Sequence, residues 1–219
     1  MTNDKIKLIP KTEFDINPHK MEFDFPEFKI GIAEYDEGPT GCTVFAFDKR
    51  VNVAIDIQGG SCATIHTPYA YSVLDTICFA GGSQYGLEAA SGVMAERYKE
   101  RNYSRHWNDI AIVSGAIIYD YAYRNNSIYP DKALGRAAYK SAKPNVFYTG
   151  RRGAGRNATV GNGFNLMHGE MSGQGGAYKK INDVKIAVFT VVNSLGAIVD
   201  RKGNVVRGHF NQETNRRYK

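Results

Sequence analysis

The run 184–192 is the most apolar in the chain, and it ends in Val192-Asn193-Ser194. A polar triplet closing a buried strand is a favoured place for an active-site group. An Asn amide held there can donate to an oxygen that gains negative charge when an acyl centre is attacked, worth about 3 kcal/mol when the donor is preorganised. The same Asn can also be a turn residue bonding its own backbone. Tyr119-Asp120, at the end of the run 110–119, carries the same two readings. Gly81-Gly82-Ser83 opens a helix-like segment where free backbone N–H groups can hold an anion. A tight strand-to-helix turn needs the same residues.

Other catalytic signatures are absent: there is no HExxH, no GxSxG and no GxxxxGK[ST]. His19, His66, His106, His168 and His209 are scattered without ligand spacing, so no metal site is expected. Gly153-Ala154-Gly155-Arg156-Asn157-Ala158 has the spacing of a dinucleotide loop, but that motif must open a helix. The glycines at 161 and 163 argue against one, and no cofactor is expected. Cys42, Cys62 and Cys78 form no CxxC pair and read as buried reduced thiols.

The net charge of +6 raises nucleic acid or an anionic surface as a partner. Basic and acidic residues alternate over most of the chain, however, and only Arg151, Arg152, Arg156 and the C-terminal tail are concentrated. A solvated surface is the preferred reading, with no nucleic-acid partner. Neither a signal peptide nor an uncharged stretch long enough to cross a bilayer is visible, which points to the cytoplasm.

The elements that position these residues belong to one domain. Residues 1–25 read as an arm, 26–208 as the domain and 209–219 as a flexible basic tail. Strands are expected at 28–34, 42–47, 51–57, 74–80, 110–119 and 184–192, with 48–50 as a turn. A hairpin at 197–206 turns at Lys202-Gly203. One helix should run from an N-cap at Ser83 to about residue 99. Its Gly86, Ala89, Ala90, Gly92 and Ala95 leave one side small enough for close packing. A second helix should span 130–142, with Pro130 in its first turn. Strand–helix alternation is not sustained, so mixed connections are expected rather than a doubly wound sheet.

Read together, the segments FDFP (23–26), EGPTG (37–41), AGGSQYGLEA (80–89), YPDKALGRAA (129–138), GRRGAG (150–155), SGQGGA (172–177) and VVNSLGAIVDRKGNVVRG (191–208) resemble, in the same order, the nylon-oligomer (6-aminohexanoate oligomer) endohydrolases. Their wider relatives are the L-aminopeptidase/D-esterase and β-peptidyl aminopeptidases. The resemblance implies an α+β fold, an αββα four-layer sandwich completed by a separate small subunit. It also implies a precursor that cuts itself once, exposing a Thr or Ser whose hydroxyl is the nucleophile and whose own α-amine is the base. That residue is expected beyond Lys219, on the small subunit.

Under this resemblance Asn193 matches an oxyanion donor and Tyr119 an active-site tyrosine. Asn162 stands where relatives carry an active-site lysine. The implied function is hydrolysis of linear amides such as 6-aminohexanoate oligomers by a homo-oligomer of heterodimers. An aminopeptidase of the same architecture and an inactive binding or assembly module are the competing readings.

Overall fold

The structure, a computed structural model, describes residues 1–14, 19–59, 64–65, 72–163 and 165–218. The expected readings at Cys62, His66 and Lys219 lie outside the described residues. The centre is a mixed sheet of six strands: β1 (Phe28–Tyr35), β2 (Thr40–Asn52), β3 (Thr64–Ile65), β4 (Val73–Ala80), β5 (Val113–Ile117) and β6 (Lys143–Pro144), in the order β3-β5-β4-β2-β1-β6. Only the β4–β5 pair is parallel. Two α-helices, α1 (Glu88–Glu100) and α2 (Lys132–Lys140), lie on one face. A long hairpin, β7 (Gly173–Ile181) with β8 (Val184–Val192), covers part of the other.

The period-2 alternation of a strand sorts side chains between these faces. Toward the helices point small residues: Ala33 from β1, Cys42, Val44 and Ala46 from β2, and Cys78 and Ala80 from β4. Toward the hairpin point Phe28, Ile30 and Phe45, which pack with Phe147 and with Phe189 of β8. The Phe45 and Phe189 rings are 5.0 Å apart, and Phe147 and Phe189 4.9 Å. Large rings fill the roughly 10 Å gap between stacked sheets, whereas small residues let helices approach.

The small side of α1 packs as its sequence suggests. A Cβ on Gly92 would lie 2.2 Å from the Lys132 carbonyl oxygen, and one on Gly135 would lie 2.0 Å from that of Ala89. The two helices therefore touch backbone to backbone. Gly92→Ala is expected to destabilise the protein by about 2–3 kcal/mol in chemical denaturation, because the carbonyl facing it is main chain and the helix must move. A change under about 0.5 kcal/mol would mean that the helices slide apart freely.

Several boundaries differ from expectation. Residues 48–50 are not a turn: β2 runs through them with a register shift between Ala46 and Val51. Arg50 reaches the buried Asp75 at 3.1 Å there, which gives the charged run a place in the sheet. Ser83 is not an N-cap: its φ is +54°, and the cap positions before the 3₁₀ turn and α1 fall to Gly82 and Leu87. A 3₁₀ turn (Ser83–Leu87) precedes α1 instead. In α2 the cap is Asp131, whose carboxylate accepts from Leu134 N–H at 3.0 Å, so Pro130 lies outside the helix. The run 110–119 forms strand only over Val113–Ile117. β8 has the expected limits but is buried on one side only. The hairpin turning at Lys202-Gly203 is present, pairing Ile198–Val199 with Val205–Arg207.

Both termini make specific contacts with the body. The Asn3 side chain bonds Tyr129 and Asp131, Lys11 bridges to Glu34, and Lys20–Glu22 pairs with Val146–Tyr148. At the other end Phe210–Asn211 pairs with Arg216–Arg217, and Arg217 forms an ion pair with Glu170.

Candidate active site

Asn193 follows the last residue of β8, and its side chain bridges two distant segments. Oδ1 accepts from the Thr159 N–H at 2.9 Å, and Nδ2 donates to the Tyr119 carbonyl at 2.9 Å. The local turn bond belongs to its neighbour, since Ser194 Oγ donates to the Gly196 carbonyl at 2.7 Å. Nδ2 carries two hydrogens, and the Tyr119 carbonyl takes one of them. The other meets no acceptor among the described residues.

Thr159 is the pivot. Its Oγ1 accepts from Asn162 Nδ2 at 2.9 Å, so Asn162 and Asn193 meet at one buried residue, and Tyr119 joins them through its bond to Asn193. The loop carrying Thr159 and Asn162 is laced to the one after β8. Gly161 N–H donates to Gly196 O at 2.9 Å, and Gly163 N–H to Leu195 O at 2.9 Å. Asn162 Oδ1 is buried without a hydrogen bond, facing Gly169, where a Cβ would come within 2.0 Å of it. Nothing in the sequence singles out Thr159; one Thr in a glycine-rich loop gains its role only from long-range pairing.

Tyr119 contributes its main chain to this arrangement. Its carbonyl holds Asn193, while the residue is 55% exposed and its ring meets the Tyr121 ring edge-on at 5.7 Å. Tyr121 in turn packs under the Arg124 guanidinium, 3.9 Å from the ring centroid. Asp120 is buried. Its carboxylate accepts from Gly82 N–H (2.9 Å), Thr40 Oγ1 (2.6 Å) and Arg124 Nη2 (2.7 Å).

These contacts decide two of the open motifs. The Gly81-Gly82-Ser83 turn already holds an anionic group, the chain's own Asp120 carboxylate, and Ser83 N–H donates to Ile118 O. Gly153-Ala154-Gly155 forms a single 3₁₀ turn followed by the short strand Thr159–Val160, so no helix presents free N–H groups there. The basic cluster is occupied as well. Arg156 and Arg152 lie 3.1 and 3.7 Å from the buried Glu34, and Arg156 also pairs with Asp36 at 3.2 Å. Burial pushes the Glu34 carboxyl above its usual range, against the pull of the Gly153 N–H and both guanidiniums.

Cys42 and Cys78 are buried and free, and their mutual hydrogen bond, with burial, drives the Cys42 thiol well above its usual value. No helix among the described residues is long and apolar enough to cross a membrane.

A scan against protein-family models finds no match. Known proteins are more informative. A putative NylC-analogous protein of Agromyces sp. (strain KY5R) is 42% identical over 194 residues, covering 89% of this chain and 62% of that protein. The 6-aminohexanoate-oligomer endohydrolase of the same organism is 40% identical over 207 residues, covering 92% of this chain and 57% of that protein. This chain thus spans about three-fifths of the length of these relatives.

Among solved structures, a Burkholderia sp. beta-aminopeptidase superposes with a TM-score of 0.54 at 13% identity, over 72% of this chain and 46% of that one. The L-aminopeptidase D-Ala-esterase/amidase of Ochrobactrum anthropi, described as a variant of the Ntn hydrolase fold, gives 0.50 at 12% identity, over 81% and 54%. These two share the fold, while the sequence relatives fix the kinship. Over about nine-tenths of its own length the chain is similar, at 40–42% identity, to the 6-aminohexanoate-oligomer endohydrolase and the NylC-analogous protein.

Proposed function

We propose that this chain is the large subunit of a self-processed hydrolase that cleaves linear amides such as 6-aminohexanoate oligomers. The observation that carries this reading is the clamped Asn193 amide, held at both ends by main chain and keeping one Nδ2 hydrogen for an oxyanion. The nucleophile is a Thr or Ser hydroxyl at the start of a small subunit from the same precursor. Its α-amine takes the hydroxyl proton as oxygen attacks the amide carbon, and Nδ2 donates to the oxyanion that forms. The amine then returns the proton to the leaving nitrogen, and water releases the acyl group.

In this reading residues 26–208 are the hydrolase domain, residues 1–25 its arm, and residues 209–219 lead toward the cleavage linker. The helix layer, the six-stranded sheet and the β7–β8 hairpin form part of an αββα sandwich that the small subunit completes. The working particle is a cytoplasmic homo-oligomer of heterodimers. Intact-mass analysis of the full-length gene product tests the scheme: two fragments are expected, the second beginning with Thr or Ser. A single uncut chain supports the inactive-module reading instead.

Asn162 sets the pH range of this chemistry. A lysine here puts a positive charge beside the nucleophile's amine, disfavours its protonation and keeps it basic toward lower pH. The neutral Asn162 exerts no such field, so the amine protonates at higher pH. Asn162→Lys is therefore expected to move the acidic limb of kcat/KM about one unit toward acid and leave the basic limb in place. Identical acidic limbs would mean that residue 162 does not face the nucleophile.

A further inference from the structure

We propose that Asp120 is a positioning residue that sets the Asn193 amide in place by fixing the distance between its two anchors. This rests on the reading of Asn193 as the oxyanion donor. One anchor, the Tyr119 carbonyl, belongs to the residue just before Asp120. The other, the Thr159 N–H, lies two residues after Asn157, whose Nδ2 donates to the Asp120 carbonyl at 2.7 Å. Both ends of the clamp therefore run back to Asp120.

Asp120 is itself immobilised from several elements. Its carboxylate is bonded to Gly82 in the turn after β4 and to Thr40 at the start of β2. A third bond comes from Arg124, which also donates through Nε to the Asp120 carbonyl at 3.1 Å and through Nη1 to the Ile128 carbonyl. There is no slack at this point in the fold: a Cβ on Gly81 would lie 2.2 Å from Asp120 Oδ2. A buried ion pair adds little net stability over an apolar pair of the same size, because desolvation offsets its Coulomb gain. What this pair supplies is fixed geometry, and a displacement of about 1 Å at a reacting centre can cost 10²-fold in rate.

The test is a double-mutant cycle in the full-length, processed protein, assayed on a linear 6-aminohexanoate oligomer. Asp120→Asn is expected to lower kcat about tenfold with KM within about twofold. In an Asn193→Ala background the same change is expected to cost less than about twofold, since no amide remains to be positioned. An equal tenfold loss in both backgrounds overturns the proposal, as does an unchanged kcat in the wild-type background.

If Asp120→Asn does not fold, because Arg124 is left buried against a neutral partner, Thr40→Val serves in its place. It removes one donor to the carboxylate and keeps the charge pair. It should lower kcat about threefold in the wild-type background and leave Asn193→Ala unchanged. Equal losses in both backgrounds again overturn the proposal. An Asn193→Ala enzyme as fast as wild type instead overturns the assignment of Asn193 itself.

Discussion

Asn193→Ala in the full-length protein is expected to lower kcat by about 10²–10³ with little change in KM. On the proposed role the amide meets the oxyanion only once the carbonyl has been attacked, so its loss is expected in the transition state rather than in substrate binding. The substitution also unpairs the Thr159 N–H and the Tyr119 carbonyl. A stability cost of about 1–3 kcal/mol therefore accompanies the rate loss and has to be separated from it. Asn193→Asp is the complementary variant: its carboxylate still accepts from Thr159 N–H, but it offers no donor to the oxyanion or to the Tyr119 carbonyl. If Asn193 is the oxyanion donor, both variants are slow, and chemical denaturation of each gives the part of the loss that comes from folding. A loss under threefold in both would reduce Asn193 to a brace between loops. Tyr119→Phe belongs in the same series: it keeps the carbonyl that holds Asn193, so any loss of rate reports on the hydroxyl alone.

The sequence made Asn193 and Tyr119 visible for a physical reason: polar residues closing apolar strands are conspicuous, and the 184–192 run coincides with β8. What it could not show was which atoms do the holding. Tyr119 enters the site through its carbonyl, which every residue possesses, and Thr159 enters through a backbone N–H. Contacts of that kind are set by how distant strands align and leave no compositional trace.

The misplaced boundaries have a similar origin. Asp48-Lys49-Arg50 looks like a turn because charged residues favour turns, yet the buried Asp75 gives Arg50 a partner inside the sheet. Ser83 looks like a cap because Ser commonly is one, but its N–H is taken by the Ile118 carbonyl and helix α1 begins a turn later. The small side of α1 was legible, because the absence of a side chain at Gly92 is written directly in the sequence, but that α2 meets it through Gly135 emerges only from the fold.

Residues 1–219 purified alone are expected to show no amide turnover, and activity should return when the remainder of the precursor is co-expressed. The argument rests on the surface as much as on the chemistry. The helix face of the central sheet is closed, but the opposite side is only partly covered. Three of the residues of β8 that point away from the sheet are apolar and open: Val184 is 58% exposed, Ile186 48% and Val188 57%. Among the described residues β8 pairs only with β7, so its other edge carries unpaired N–H and C=O groups. Beside that edge lies a cavity of about 370 Å³ whose walls include Phe25, Phe47, Ile77, Phe79, Ala187 and Phe189. A contiguous apolar strip and an open strand edge together mark an interface. The relatives are longer than this chain, which supplies a candidate to cover it. The small subunit is expected to add strands along β8 and to bring the nucleophile within reach of Asn193, which directly follows β8. The isolated fragment should bind a hydrophobic dye and self-associate, and both signals should vanish on co-expression. Ile186→Asp in the full precursor should weaken the joining of the two parts and lower activity with it, because it places a charge in the middle of the strip. Turnover by residues 1–219 alone would sink this account, and a fragment that stays monomeric without binding dye would remove the β8 strip as the meeting surface.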